Sequence, residues 1–335
     1  MSNEVPFFLM QNEGFAKARP EDDLLHPERN KLVQSHSATE TQYFGFNIPA
    51  AGINALGYMW HHTKLHTITG GLLAWKGIKP STNAAELCDM HDFMTDDAIR
   101  NDLHEYRLDN GYGVKIIEPL QRHHVTYADS ARGNEVDLHY EAVCPPVMFG
   151  DGNHFEQPMR VRGTVVLRGE KHKVDGYHVR DRSWGKARPE NNVPMPPSTW
   201  VTGVFNDEFA FNCASFDAPP DHPELRGTRF ELPADKTVTS GWIYRGGRLR
   251  RVVSTKKRVE RDLSRLLTHR VEFEITDDLG EVMRVTGTLV ASLPWAYWPT
   301  MHDTMSLMRW ECDGLTGYGD CQDVFWNDYL VDFLK

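Results

Sequence analysis

Hydrophobic and polar residues alternate along most of the chain, from about residue 41 onward. Val271–Ile275 alternates strictly and is followed by the turn residues of Asp277–Gly280. Similar runs recur about every 8–12 residues with turn residues between them, which is typical of antiparallel sheets. The pattern therefore predicts an all-β fold. Only Ala84–Met94 and Asp323–Leu334 are predicted to form short helices.

The chain is predicted to contain two β-rich halves after an irregular start. Residues 1–40 are polar and rich in turn residues, so they are expected to form an irregular N-terminal arm. A stretch rich in proline and asparagine, residues 186–198, then separates the two halves. This composition indicates an N-terminal β domain over residues 41–188 and a C-terminal β domain over residues 199–335, each large enough for its own core.

Composition narrows the class of protein. The formal net charge of −10 over 335 residues argues against a nucleic-acid partner, although it does not oppose a homodimer. The five cysteines are scattered and lack CxxC spacing, which favours free thiols in a reducing cytoplasm. The N-terminus lacks a basic region, and no stretch approaches the roughly 20 apolar residues of a membrane span. We therefore expect a cytoplasmic protein without a membrane span.

The segment Gly176–Gly185 carries the most distinctive chemistry. As a strand, it would place Asp181 on the same face as Val179, with Arg180 and Arg182 on the opposite face. A carboxylate that points inward must be paired, hydrogen-bonded or protonated. Asp181 is therefore either a catalytic acid or part of a salt-bridged corner that holds two strands together.

A second cluster combines aromatic rings with an acid. Trp295, Tyr297 and Trp298 precede the adjacent pair His302 and Asp303 in a proline-containing segment that is predicted to be a loop. Loops at the mouth of a barrel often carry function. The segment is read either as an acid–base element with an aromatic lining or as an interface loop.

A third cluster lies in an early strand. Alternation places Tyr58, Trp60 and His62 on one face, and His66 would join them only if the strand were continuous. Zinc binding through His62 and His66 is the weaker interpretation, because HxxxH is a helical spacing and the surrounding pattern is β. We therefore predict no metal, and His62 is instead a candidate for proton transfer.

Four segments of the sequence resemble one known group of proteins. They are Tyr43–Phe46, Gly163–Leu167, Asp175–Gly185 with Arg188 just after it, and Arg309–Gly319. With these segments the chain resembles the lipocalin-like superfamily of hydroxyneurosporene synthase, AttH-like proteins, kievitone hydratase and several natural-product cyclases.

The resemblance implies two tandem lipocalin-like β-barrel or half-barrel domains with a cavity for a hydrophobic ligand. It also implies an activity that adds water to an alkene, removes it, or cyclises an olefinic chain, without a redox cofactor. The sequence agrees in having no glycine-rich phosphate loop after a strand.

These observations predict a cofactor-independent hydratase or dehydratase, with isomerase activity as a related outcome, acting on an olefinic substrate such as a terpenoid alcohol. Such chemistry needs an acid with a suitable pKa and aromatic faces near the developing cation. The predicted catalytic residues are Asp181, His62 and Asp303. The predicted substrate-binding residues are Tyr58, Trp60, Arg182, Trp184, Trp295, Tyr297, Trp298 and His302. The alternatives are a non-catalytic carrier of a hydrophobic ligand and a cyclase or pericyclase.

Overall fold

The structure of the protein is a computed structural model that describes residues 15–149, 152–187, 194–219, 221–295 and 300–333. The chain divides into two compact units. The first, here called the sheet unit, consists of Gly14–Lys76 and Asn83–Arg188. The second, the barrel unit, includes Gly77–Thr82 and Pro189–Lys335. Each unit is described by itself.

The sheet unit is built on one antiparallel sheet of twelve strands. Its strands are β1 (Phe15–Ala16), β2 (Ala38–Ile48), β3 (Ile53–His62), β4 (Thr67–Lys76), β5 (Leu87–Thr95), β6 (Glu105–Arg107), β7 (Gly113–Glu118), β8 (Arg122–Asp129), β9 (Asn134–Ala142), β10 (Val147–Phe149), β11 (His154–Leu167) and β12 (Glu170–Ala187). The main path runs β5-β4-β3-β2-β12-β11-β9-β8-β7-β6, with β10 pairing both β1 and β11. A short helix, α1 (Pro27–Leu32), precedes β2.

One face of this sheet carries the core of the unit. Phe44 and Met59 pack in one cluster with Tyr140 and Val161, and all four are buried. Gly57 leaves room for an aromatic ring, since a methyl group there would lie 2.5 Å from the ring of Tyr112. The alternation of the sequence thus produces a half-barrel sheet whose concave side is filled.

The barrel unit is a closed antiparallel barrel of eight strands in chain order. The strands are β13 (Ser198–Asn206), β14 (Phe209–Phe216), β15 (Val238–Arg245), β16 (Arg248–Asp262), β17 (Leu267–Asp277), β18 (Val282–Trp295), β19 (Met301–Cys312) and β20 (Leu315–Trp326), and α2 (Asn327–Phe333) follows. Single 3₁₀ turns occur in the two units at Pro20–Asp23, Pro49–Ala51, Thr82–Ala84, Asp96–Ile99, Pro223–Leu225 and Ala234–Lys236.

Side chains fill the interior of the barrel. Phe211 and Trp310 meet edge to face at 5.4 Å within one buried cluster that also holds Phe273. A methyl group at Gly287 would lie 2.3 Å from the Trp310 ring. The hydrophobic ligand cavity implied by the resemblance is therefore not present in this part of the interior, because large aromatic side chains occupy it.

The predicted all-β architecture of a barrel and a half-barrel with few short helices is confirmed. The helix predicted at Ala84–Met94 is wrong, because Leu87–Thr95 forms β5 and pairs with β4. The C-terminal helix begins only at Asn327, after β20. The loop predicted around His302 and Asp303 is also wrong, since both residues lie in β19. Among the described residues, no helix is long and apolar enough to cross a membrane.

Candidate functional site

The arginines of the Gly176–Gly185 segment enter a buried network of ion pairs. Arg180 donates to Asp23 (Nη1 to Oδ1, 2.7 Å) and to Gln157 (Nε to Oε1, 2.9 Å). His123 Nε2 lies 3.0 Å from the other oxygen of Asp23. Burial opposes ionisation of Asp23, but the charge of Arg180 and the contacts with His123 outweigh it and hold the pKa of this carboxyl well below its usual range.

A second pair extends the network on the same strand. Arg182 donates to Glu40 at 2.6 Å, and Asn30 Nδ2 donates to the same carboxylate at 2.7 Å. His26 Nδ1 lies 3.1 Å from Glu40, and its ring stacks on Trp184 at 3.8 Å. Burial raises the pKa of Glu40, but Arg182, His26 and Asn30 bring it below its ordinary value. Arg182 and Trp184 thus take part in a buried, ion-paired corner of the fold.

The acids of this corner could not be identified from the sequence. Asp23 and Glu40 lie 157 and 142 residues from their arginine partners. Neither acid belongs to a recognisable motif, and Asp23 lies in the arm that was predicted to be irregular. The sequence instead offered Asp181 as the partner of the arginines, because it is their neighbour in the chain. Ion pairs between residues that are far apart in the chain produce no recognisable pattern in the sequence around either residue.

Asp181 points to the opposite face of the sheet from Arg180 and Arg182. It is half-buried and is directly opposite Glu156 on β11 and Tyr43 on β2. Tyr43 is in turn opposite Tyr58 on β3, and the two rings are 6.3 Å apart. Directly paired residues point to the same face of an antiparallel sheet. Asp181, Glu156, Tyr43 and Tyr58 therefore form one row of two carboxyl groups and two phenols.

The predicted histidine cluster divides into two separate contacts. The rings of Trp60 and His62 are 4.7 Å apart on one face of β3, as alternation predicts, and His62 Nε2 lies 3.2 Å from Thr69 Oγ1. His66 belongs to the following turn, and its Nδ1 lies 3.1 Å from Asp96 Oδ2. The strand does not continue to His66, so the structure does not bring His62 and His66 together.

Asp303 on β19 is a buried carboxyl group of a different kind. Its side chain is fully buried, and neither carboxylate oxygen has a hydrogen-bond partner among the residues that the structure describes. Burial raises the pKa of Asp303 well above its ordinary value, and the charges of Asp323 and Asp320 raise it further. Its surroundings therefore favour the protonated form over the ionised form, compared with an ordinary aspartate.

The strand register places Asp303 beside an aromatic ring. Asp303 is directly opposite Trp295 on β18, so the two side chains share a face. Strand alternation puts Asp303 on the opposite side of β19 from Met308 and Trp310, which belong to the interior cluster. His302 points away from Asp303, and burial lowers the pKa of the His302 imidazole. Tyr297 and Trp298 lie outside the described residues.

The neighbouring acids of the barrel unit are fully paired. Asp323 accepts hydrogen bonds from Arg261 Nε (2.6 Å) and from Thr268. Asp217 accepts from Lys257 at 2.8 Å and from Arg261. Burial opposes the ionisation of Asp217, but these two cations bring its pKa well below its usual range. Lys257 and Arg261 are thus paired with other acids of the barrel unit.

The arginine-paired acids and the unpaired Asp303 differ in the chemistry that they can carry out. An acid paired with arginine stays ionised and holds its position, whereas a neutral carboxyl group can donate a proton and receive it again. Trp295 lies on the same face of the sheet as Asp303, and aromatic rings attract cationic groups. Among the described acids that are fully buried, Asp303 combines these properties.

The chain is similar to several known proteins. The family model described as a domain of unknown function, DUF7064, matches residues 19–328. In structure the chain is similar to an AttH protein of Nitrosomonas europaea (TM-score 0.56, 11% identity, 97% of this chain and 99% of the other). It is likewise similar to kievitone hydratase of Nectria haematococca (TM-score 0.51, 12% identity, 97% of this chain and 99% of the other). A third similar structure is that of CghA (TM-score 0.55, 11% identity, 97% of each chain). No curated protein matches it in sequence.

These likenesses confirm the predicted resemblance to the lipocalin-like superfamily as a resemblance of fold. Their identities of 11–12% carry no residue roles from one chain to another. The roles assigned below therefore rest on the geometry of this chain.

Proposed function

This chain belongs to the DUF7064 family, and from that premise we propose that it is a cofactor-independent acid–base lyase. Its reaction is the hydration of an alkene or the dehydration of an alkenol, with isomerisation as a related outcome. The substrate is a hydrophobic olefinic molecule such as a terpenoid alcohol. The similarity of fold to a hydratase and to CghA supports the general class, and the local chemistry of the chain supports the reaction.

One observation carries the proposal, namely the buried and unpartnered carboxyl group of Asp303. A group in this state is costly to the fold unless it holds a proton. A protein that needs no acid here could replace it with a hydrophobic residue at no loss. A neutral carboxylic acid at physiological pH is what protonation of a hydroxyl or an alkene requires.

In the direction of dehydration, Asp303 donates its proton to the substrate hydroxyl. The C–O bond then breaks, and water leaves with the bonding electron pair. The carboxylate of Asp303 next accepts a proton from the adjacent carbon, whose C–H electrons form the alkene, and the acid is restored. Trp295 shields the cationic carbon, and the new carboxylate attracts it. Hydration is the same sequence in reverse.

The row of Asp181 is the candidate proton-transfer group of the sheet unit. Asp181 faces Glu156 across the strand pair, so two carboxyl groups lie side by side on one face of the sheet. His62 and Trp60 lie on the same face of the sheet, with Tyr58 in the row itself. Asp181 is proposed as a proton-transfer group within the sheet unit alone, and a separate variant tests that role.

The first experiment is to incubate the purified protein with tertiary and allylic terpenoid alcohols and to analyse the products by gas chromatography. Gain or loss of one water from any of these compounds is the expected result. Native mass spectrometry of the same mixtures detects binding without conversion. Binding with no conversion at any pH would overturn the lyase and support the carrier.

Variants then assign the acid. Asp303→Asn is expected to lower the rate about 10²- to 10⁴-fold, the usual contribution of general acid–base catalysis. Asp278→Asn, in an exposed turn of the same unit, is the matched control and should keep full activity. Asp181→Asn should retain the fold but lose activity. Full activity in Asp303→Asn would refute the role of Asp303, and full activity in Asp181→Asn would refute the role of Asp181.

A further inference from the structure

The solvent face of the hairpin β8–β9 carries three residues that can bind metal. We propose that His124, Asp137 and His139 form a binding site for a divalent transition-metal ion, with Zn²⁺ as the expected ligand. The ligand atoms of the three side chains all lie within 4.8 Å of one another. The proposal is independent of the proposed lyase activity.

The strand register brings the three residues together. His124 on β8 is directly opposite His139 on β9, and Asp137 is opposite Thr126, one step along the same face. The two imidazole rings are stacked with their centroids 4.4 Å apart and their planes at 4°. His124 Nε2 already lies 2.7 Å from Asp137 Oδ1. Binding an ion with bonds of about 2.0–2.2 Å would require the two rings to turn out of their stacked arrangement.

The opposite face of the hairpin holds the two strands in place. His123 and Val125 on β8, and Leu138 and Tyr140 on β9, are buried on the core side. A one-residue slip would expose all of these side chains, so the register is strongly fixed. The two histidines are therefore held opposite each other by the core, which reduces the entropy cost of binding an ion.

The donor set indicates the kind of ion. Two imidazoles and one carboxylate suit zinc and its neighbours in the transition series better than Ca²⁺ or Mg²⁺, which prefer oxygen ligands. Three protein ligands leave at least one position for water.

Two cations flank the site and limit its affinity. Lys115 on β7 is opposite His124, and Arg162 on β11 is opposite His139. Each is committed to an acid, Lys115 to Glu105 at 2.7 Å and Arg162 to Glu141 at 3.4 Å. Their charges still oppose the approach of a cation, so the expected affinity for Zn²⁺ is micromolar and not the tighter binding of an enclosed structural site.

Titration calorimetry of the full chain with Zn²⁺, after removal of metals by a chelator, tests the proposal. One equivalent should bind at pH 7.5, and His139→Ala and Asp137→Asn should each weaken binding at least tenfold. The affinity should be lower in acid, because protons compete with a metal ion for its ligands. Co²⁺ should give the visible absorption of a low-symmetry site in the native chain but not in His139→Ala.

His66→Ala is the matched control, because His66 is also exposed and contacts a carboxylate, that of Asp96. It should bind Zn²⁺ as the native chain does. The proposal is overturned if the native chain binds no Zn²⁺, if His139→Ala binds it unchanged, or if only His66→Ala loses it. Circular dichroism of each variant checks that a loss of binding is not a loss of fold.

Discussion

The buried acids of the sheet unit and the buried acid Asp303 of the barrel unit have opposite surroundings. Asp23 and Glu40 each contact an arginine and further donors, and each is held ionised. Asp303 is as deeply buried but has no hydrogen-bond partner among the described residues, and burial raises its pKa. Equal burial is therefore accompanied by a lowered carboxyl pKa in one unit and a raised one in the other, and the neighbouring charges decide which.

The two kinds of acid also give stability opposite dependences on pH. The pKa of Asp23 and of Glu40 is depressed, so their stabilisation is present above about pH 4 and is lost as the pH falls toward the folded-state pKa. The pKa of Asp303 is raised, so its contribution is most favourable below about pH 4 and declines as the pH rises.

The largest expected effect follows from breaking a paired acid. Arg180→Met leaves Asp23 buried without its main counter-charge and should lower the free energy of unfolding of the sheet unit by about 3–5 kcal/mol. Urea denaturation at pH 7, with hydrogen exchange of the β12 amides to locate the loss, measures it.

The matched control for this variant is Arg309→Met, which removes an exposed pair with Glu311. Pairs of this kind contribute little, so stability should change only slightly. Equal destabilisation by the two substitutions would show that burial of the ion pair is not what makes Arg180 important.

Removal of the unpaired acid Asp303 should raise the free energy of unfolding, which is the opposite of the effect expected for Arg180→Met. Asp303→Asn keeps the shape of the side chain but has no ionisable group. It therefore removes the free-energy cost of keeping the carboxyl group protonated in the folded state at a pH where it ionises in the unfolded state. Its stability relative to the native chain should rise by up to about 1.4 kcal/mol for each pH unit above about 4 while the native acid stays protonated. Thermal melts between pH 4 and 8 would reveal this trend. A difference that does not vary with pH would contradict the raised pKa.

A smaller effect is expected from the ring beside Asp303. Trp295→Phe keeps a π face and should reduce the proposed activity only slightly, whereas Trp295→Leu removes it. A contribution of about 0.5–2 kcal/mol from a cation over an aromatic ring corresponds to a roughly 2- to 30-fold loss of rate. Initial rates of Trp295→Phe and Trp295→Leu, measured with one substrate that the native chain converts, test this difference. Identical losses would indicate that Trp295 contributes only its volume.

The sequence was sufficient for the fold because alternation is a local signal. The period of two, the turn residues and the Asp181–Gly185 block predicted the all-β architecture and its resemblance correctly. The Ala84–Met94 prediction failed because a short, mixed segment became a strand through pairing with β4. Such pairing is a tertiary effect, and intrinsic propensity does not contain it.

The candidate site could be predicted only in part. Asp303 was found because a cluster of aromatic residues precedes it, but its raised pKa depends on burial and on Asp323 and Asp320 of the neighbouring strand, which the sequence around it does not reveal. Asp23 and Glu40 carried no sequence signal at all. Whether a buried carboxyl group is paired is decided by residues from remote strands, and for that reason the sequence left the role of Asp181 open.

The most direct test is the protonation state of Asp303 at pH 7. Infrared difference spectra between the native chain and Asp303→Asn, with ¹³C-labelled aspartate, isolate the carbonyl band of this one side chain. A band of a protonated carboxylic acid that persists at pH 7 and is absent from the variant is the predicted result. A carboxylate band at pH 7 would show that Asp303 is ionised, and the distinction between the two kinds of buried acid would then be wrong.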